Sequence, residues 1–288
     1  MSNKYDESTK NNVLDVHVCY IESCKKDIVD KWKQEYIGLN IQSYCLANNA
    51  LGNASIINEN SLENFGFKLL QDSFLFNNAC YYSLSIPSES VLNSEHVVAF
   101  MIEHNEKIMC YHDSHGVDMR REVKDFLLKL FPGYKIKIVY TKQQEDVVSK
   151  YDSNKNDNSC GWLSLYNLRD MWFEQNGMQD KVCNFNSLSA RQDAWRILSE
   201  IQETKLEPKT ISGTKFIIGS YKKKTAEEIA QYMEEQRKLS EISFKYRLYN
   251  EANYEELIDV SVKNAHKKFE KWRNEQILKR NTINNTRF

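Results

Sequence analysis

The chain has 288 residues, 41% apolar and 27% charged, with only 3 Pro and 9 Gly. That is room for one large domain or a medium domain with an extension, and the composition excludes a chain that is disordered throughout. A formal charge of −1 argues against a general nucleic-acid binder.

No apolar run reaches the roughly 18 residues of a membrane helix. The first thirty residues carry neither the basic start nor the apolar stretch of a signal peptide. The expected location is therefore a cytosol, reached without the ordinary secretory signal. Seven cysteines (Cys19, Cys24, Cys45, Cys80, Cys110, Cys160 and Cys183) form an odd set without close pairing, which predicts reduced thiols rather than a disulfide framework. His17, Cys19 and Cys24 cluster in sequence, but their spacing matches no usual zinc pattern, and no metal or cofactor is expected.

The charge is uneven. Residues 1–205 carry 22 Lys+Arg against 28 Asp+Glu, and residues 206–288 carry 17 against 12, so the C-terminal third is a separate, basic piece. The expected divisions are an N-terminal helical or variable part (1–79), a core (80–205) and a basic helical extension (206–288).

In chain order, CYYSLSI (80–86) puts Cys80, Tyr82, Leu84 and Ile86 on one face, and Pro87 closes the strand. HVVAFMI (96–102) and IMCYHD (108–113) predict a hairpin. MRREVKDFLLKLF (119–131) spaces Met119, Val123, Phe126, Leu127 and Leu130 as a helix, stopped by Pro132-Gly133. KIKIVYT (135–141) is a further strand, and 142–159 reads as a long polar loop. A helix begins near Cys160 with Leu165, Leu168 and Trp172 on one side. Another, 187–203, carries Ala190, Ala194, Ile197 and Ile201 in register. Beyond Pro208, Thr225 and Glu228 make a capping-box pattern, and 252–279 forms a long amphipathic helix through Tyr254, Leu257, Ser261, Ala265, Phe269 and Trp272. The predicted fold class is α+β.

The hairpin has a computable geometry. A two-residue turn on His104 and Asn105 makes facing residues sum to 209, which sets His96 opposite Asp113, with Cβ atoms roughly 4.5–5.5 Å apart. A carboxylate there accepts the imidazole Nδ1 proton and fixes the tautomer. Cys160 opens a helix behind a polar loop, where unpaired backbone N–H groups and the helix dipole favour a thiolate. Gly161 leaves room for an approaching carbonyl. A Cys with an oriented His supplies the nucleophile and base of acyl transfer.

His96 with its apolar strand, Asp113 in IMCYHDSHG, and Cys160 in NKNDNSCGWL together resemble the ubiquitin-like-protein proteases of the CE clan. That clan groups SUMO proteases, adenovirus-type proteases, bacterial effector deubiquitinases and the Yop-type acetyltransferases. The resemblance spans roughly residues 80–203. It implies a papain-like fold, with a central mixed sheet flanked by helices and followed here by a helical C-terminal extension. It also implies a triad in which Cys160 is the nucleophile, His96 the base and Asp113 the orienting acid. Val97 stands where the family carries Trp, and Ser159 where it carries an acidic residue. The family's oxyanion Gln, six residues before the cysteine, is replaced by Asn154, with Asn156 two further on. Gln144 has the family's residue type but lies ten residues further away.

The resemblance implies a thiol protease that removes ubiquitin or a ubiquitin-like modifier from its conjugates, as a bacterial effector deubiquitinase does. The same triad serves a Yop-type acetyltransferase using acetyl-coenzyme A. A third reading is an interaction protein with a vestigial triad. The expected partners are the modifier and its conjugates, with no nucleic acid. The helix 252–279 is expected to pack back on the core, with a membrane or acidic surface as the alternative for its Phe269, Trp272 and neighbouring lysines.

Overall fold

The computed structural model describes residues 21–46, 57–76, 78–87, 95–143 and 160–186, parts of 189–201 and of 227–241, and 251–285. The chain forms two compact units, interleaved in sequence. Unit 1 takes residues 1–41, 112–117 and 140–231, and unit 2 takes 42–111, 118–139 and 232–288. The architecture is α+β, with a five-stranded mixed sheet flanked by helices.

The sheet lies mainly in unit 2. Its strands are β1 (Ile41–Cys45), β2 (Ala79–Pro87), β3 (Glu95–Glu103), β4 (Ile108–Asp113) and β5 (Lys135–Tyr140), side by side in that order. β2 and β3 pair antiparallel, from Ala79 opposite Glu103 to Pro87 opposite Glu95. Cys80, Tyr82, Leu84 and Ile86 share one face, as their alternation predicts, and all four join the main apolar core. The other face is not open to water, however: Tyr81 and Ser83 are buried as well. β2 is thus covered on both sides, although Ser83 and Ser85 alternate with its apolar residues.

The hairpin also differs from expectation. β3 ends at Glu103 and β4 begins at Ile108, so the loop is 104–107, with Lys107 in the left-handed region at φ 54°. Four residues, not two, make the turn. The flanking residues, 103 and 108, sum to 211 rather than 209, so the loop does not dictate direct opposition of His96 and Asp113.

Among the described residues, three helices cover the core of unit 2. The first, at Glu59–Leu75, follows the helix Ile21–Glu35 of unit 1 in chain order; these two are α1 (Ile21–Glu35) and α2 (Glu59–Leu75). α2 begins on a reciprocal cap: the Asn58 side chain accepts the Ser61 N–H at 2.9 Å, and the Ser61 hydroxyl accepts the Asn58 N–H at 2.8 Å. Leu62, Phe65 and Leu69 then recur on its buried face. α3 (Arg121–Leu130) buries Val123, Phe126, Leu127 and Leu130 and stops before Pro132 and a left-handed Gly133. Each such side chain withdrawn from water contributes roughly 1.5–3 kcal/mol.

Unit 1 centres on α4 (Cys160–Gln175), buried all round from Gly161 to Arg169. α1 packs on it through Trp32, which meets Tyr166 edge-on at 5.1 Å. Tyr36, just past the end of α1, meets Phe173 at 5.0 Å. The Arg169 guanidinium lies 4.8–5.4 Å from the rings of Tyr166, Trp32, Phe185 and Phe173. Asp170 at 3.4 Å and Asp193 at 3.9 Å balance its charge, so the buried cation is paired as well as packed. The described residues of the predicted helix 187–203 are helical, and Ala190, Ala194 and Ile197 are buried as expected.

The long C-terminal helix, α5 (Tyr254–Asn285), belongs to unit 2. Its predicted face is the one that packs, with Leu257, Ile258, Ser261 and Ala265 buried against the core helices. Gly66 of α2 permits the approach: a Cβ there would stand 2.8 Å from Ala265 Cβ and 2.7 Å from Phe126 Cζ. Tyr254 donates to Asp125 at 2.7 Å, and Lys129 pairs with Asp259. Among the described residues no helix is long and apolar enough to cross a membrane.

Candidate functional site

Cys160 is the first residue of α4 and half-buried, followed at once by buried Gly161, Trp162 and Leu163. The first turn of this helix holds no acidic residue. A thiolate at this position would meet the positive end of the helix dipole with no carboxylate on that turn to oppose it. Among the other described cysteines, Cys80 and Cys110 are buried and Cys45 and Cys183 exposed. Burial pushes the Cys80 thiol up to about 11, which makes it a poor nucleophile at neutral pH.

Asp113 ends β4 and is 3% exposed. Its Oδ1 accepts the His115 N–H at 2.7 Å, and its carbonyl accepts the Gly116 N–H at 2.9 Å. The carboxylate is thereby set by the turn that follows the strand. Gly116 makes that turn at φ 70°, and a Cβ on it would stand 3.0 Å from the Thr141 carbonyl oxygen. Both counts favour glycine there.

His112, the residue before Asp113, is buried and hydrogen-bonds Thr141 Oγ1 through Nε2. Burial pushes its pKa down to about 4, although Asp113 pulls it the other way, so the ring is neutral at physiological pH. Nothing in the local sequence distinguishes this histidine from His115, which is exposed.

Gln143, two residues beyond Thr141, is committed to structure. Its Nε2 donates to Asn167 Oδ1 at 2.9 Å and to the Phe185 carbonyl at 2.8 Å, while Asn167 Nδ2 donates back to Gln143 Oε1 at 3.0 Å. Sequence reasoning passed over this pair. The only hint is two amides at a loop edge and in a buried helix, which does not reveal that they meet.

Asp113 and Cys160 fall in unit 1, and His96 in unit 2. His96 is half-buried, second in β3, and opposite Ile86 of β2. Val97, opposite Ser85, is half-buried too. Asn154, Asn156, Ser159 and Gln144 lie outside the described residues, as do His17, Cys19 and the Thr225–Glu228 pattern; of Cys24 only the backbone is described. Among the described residues no group of three or more His, Cys, Asp or Glu gathers as a metal site. No model of a known protein family matches the chain, and no curated protein matches it.

Proposed function

We propose that this protein is a thiol hydrolase that cleaves ubiquitin or a ubiquitin-like modifier from lysine side chains. The observation supporting this most directly is Cys160 at the start of α4, half-buried, on a first turn free of acidic residues. In this reading the Cys160 thiolate attacks the carbonyl carbon of the modifier's C-terminal glycine. The C–N bond breaks as the lysine amine leaves with a proton from His96. Water, deprotonated by His96, then hydrolyses the thioester and releases the modifier as a carboxylate. Asp113, with its carboxylate set by the 113–116 turn, serves as the acid that orients the imidazole. Asn154 supplies an amide donor to the oxyanion.

The test is labelling by electrophilic C-terminal probes of ubiquitin and SUMO. The expected adduct forms at Cys160 and is lost in Cys160→Ala, while Cys45→Ser and Cys183→Ser, which remove the thiols exposed among the described residues, still label. Asp113→Asn is expected to reduce turnover up to thousands-fold, as removal of an orienting acid does elsewhere. Labelling that persists in Cys160→Ala overturns the assignment. Consumption of acetyl-coenzyme A with no probe adduct would replace hydrolysis by acetyl transfer.

A further inference from the structure

The end of unit 2 where α2 stops is apolar and open to solvent. Phe74, Leu75 and Phe76 are 41%, 51% and 39% exposed. Phe74 meets Phe269 and Trp272 of α5 with ring centroids 6.0 and 5.8 Å apart, and both of those rings are only half-buried. Arg273 lies over Phe269 at 6.0 Å. Among the described residues the aromatic cluster is held together by its own members, and none covers its outer side fully.

α2 and α5 run parallel. Glu59 meets Ser261 and Asn264, Asn64 meets Lys268, and Phe74 meets Trp272. α2 ends at Leu75 whereas α5 continues to Asn285, so the last twelve or so residues of α5 project beyond α2 by about 18 Å at 1.5 Å per residue. Ile277 and Leu278 on this projection are 46% and 66% exposed.

The same stretch is strongly basic. From His266 to Arg280 it holds six Lys or Arg (Lys267, Lys268, Lys271, Arg273, Lys279 and Arg280) against Glu270 and Glu275. Lys268 is paired with Glu63 and Arg273 with Glu270. Lys267, Lys271, Lys279 and Arg280 are exposed. Bulky apolar side chains amid long cationic ones, on a protruding helix end, suit a surface that is anionic and deformable. Lysine and arginine reach phosphates while their stems and the neighbouring rings enter the headgroup layer. A folded acidic protein would have to provide preformed hollows for the same protruding side chains.

We propose that this end of unit 2 docks on an anionic lipid surface, through Phe74, Leu75, Phe76 and Leu278 together with Lys271, Lys279 and Arg280. The proposal is independent of the chemistry at Cys160. It applies to a peripheral contact, not a spanning segment.

The experiment is co-sedimentation of the full chain with phosphatidylcholine vesicles, with and without phosphatidylserine. Binding is expected only where phosphatidylserine is present, and it should weaken as salt rises. Leu75→Asp combined with Leu278→Asp should lower vesicle affinity at least tenfold. Lys271→Glu combined with Lys279→Glu should lower it about a hundredfold or more, at about fivefold for each unit of charge near the leaflet. All four positions are exposed, and unchanged helical circular dichroism checks that the fold persists. No association at low salt, equal binding to pure phosphatidylcholine, or full binding by either double variant would overturn the proposal. Retention on a polyglutamate matrix without vesicle binding would overturn it in favour of an acidic protein partner.

Discussion

The side-chain amides of Gln143 and Asn167 hydrogen-bond each other in both directions, at 2.9 and 3.0 Å. The pair ties the chain just after β5 to α4, seven residues past Cys160. Asn167 is buried, so removing its partner strands a polar group away from water. Gln143→Ala is expected to lower unfolding stability by roughly 1–3 kcal/mol. In a double-mutant cycle with Asn167→Ala, the two losses should overlap by on the order of 1 kcal/mol. Urea unfolding of the four proteins measures this, and strictly additive losses would show that the amides do not cooperate.

Both N–H groups of the Gln143 amide are already engaged, one by Asn167 and one by the Phe185 carbonyl. It is therefore a poor oxyanion donor, whatever its residue type. On the proposed chemistry, Asn154→Ala should lower turnover roughly a hundredfold, whereas Gln144→Ala should change it little. Gln143→Ala should cost stability but leave the turnover of the folded fraction near the parent value. Steady-state hydrolysis of a fluorogenic modifier C-terminal amide distinguishes the three, and a large loss for Gln144→Ala alone would transfer the role to that residue.

Two groups of unit 1, the buried His112 and the half-buried Asp170, give opposite pH dependences. His112 is held down at about 4 by burial, against about 6.5 in an unfolded chain. Between these values the unfolded state binds the proton and the folded state does not, so His112 makes stability fall as pH drops. Asp170 is held up at about 6 by burial, with Arg169 and the Cys183 N–H pulling it down, against 3.8 for the free group. Between 3.8 and 6 the folded state holds the extra proton, so Asp170 makes stability fall as pH rises. Relative to the parent, the pH slope of the denaturation midpoint between about pH 4 and 6.5 should shift towards stability falling as pH rises in His112→Gln, and the opposite way in Asp170→Asn. Equal slopes in the two variants would contradict the burial of at least one group.

Gly66→Ala tests the packing of α2 on α3 and α5. In an open helix this change is worth about 1 kcal/mol of propensity in favour of Ala. Here the added methyl would stand 2.7 Å from Phe126 and 2.8 Å from Ala265, and overpacking of that kind costs roughly 1–3 kcal/mol. A net loss of stability is expected, read as a lower urea midpoint at constant slope. A gain would mean that α5 yields to the methyl without strain.

The local pattern of residues decided much of this protein. Alternation identified β2, two apolar runs about a turn identified β3 and β4, KIKIVYT gave β5, and the 3.6-residue period picked out the buried faces of α3 and α5. Pro132-Gly133 marked the end of α3, and Cys160 the start of α4. These are properties of a few adjacent residues, and the backbone expresses them wherever one face meets a core. The Asn58–Ser61 cap and the spacing of Leu62, Phe65 and Leu69 are local signals of the same kind for α2. Other features depended on residues distant in sequence. The burial of both faces of β2, the contact of Gly66 with Ala265, the four rings around Arg169 and the pairing of Gln143 with Asn167 leave no periodic trace. Two amides or two small residues become partners only when separate elements bring them within a few ångströms. Only the tertiary structure could decide these, because a contact between distant residues is a property of the packed chain and of no local stretch within it.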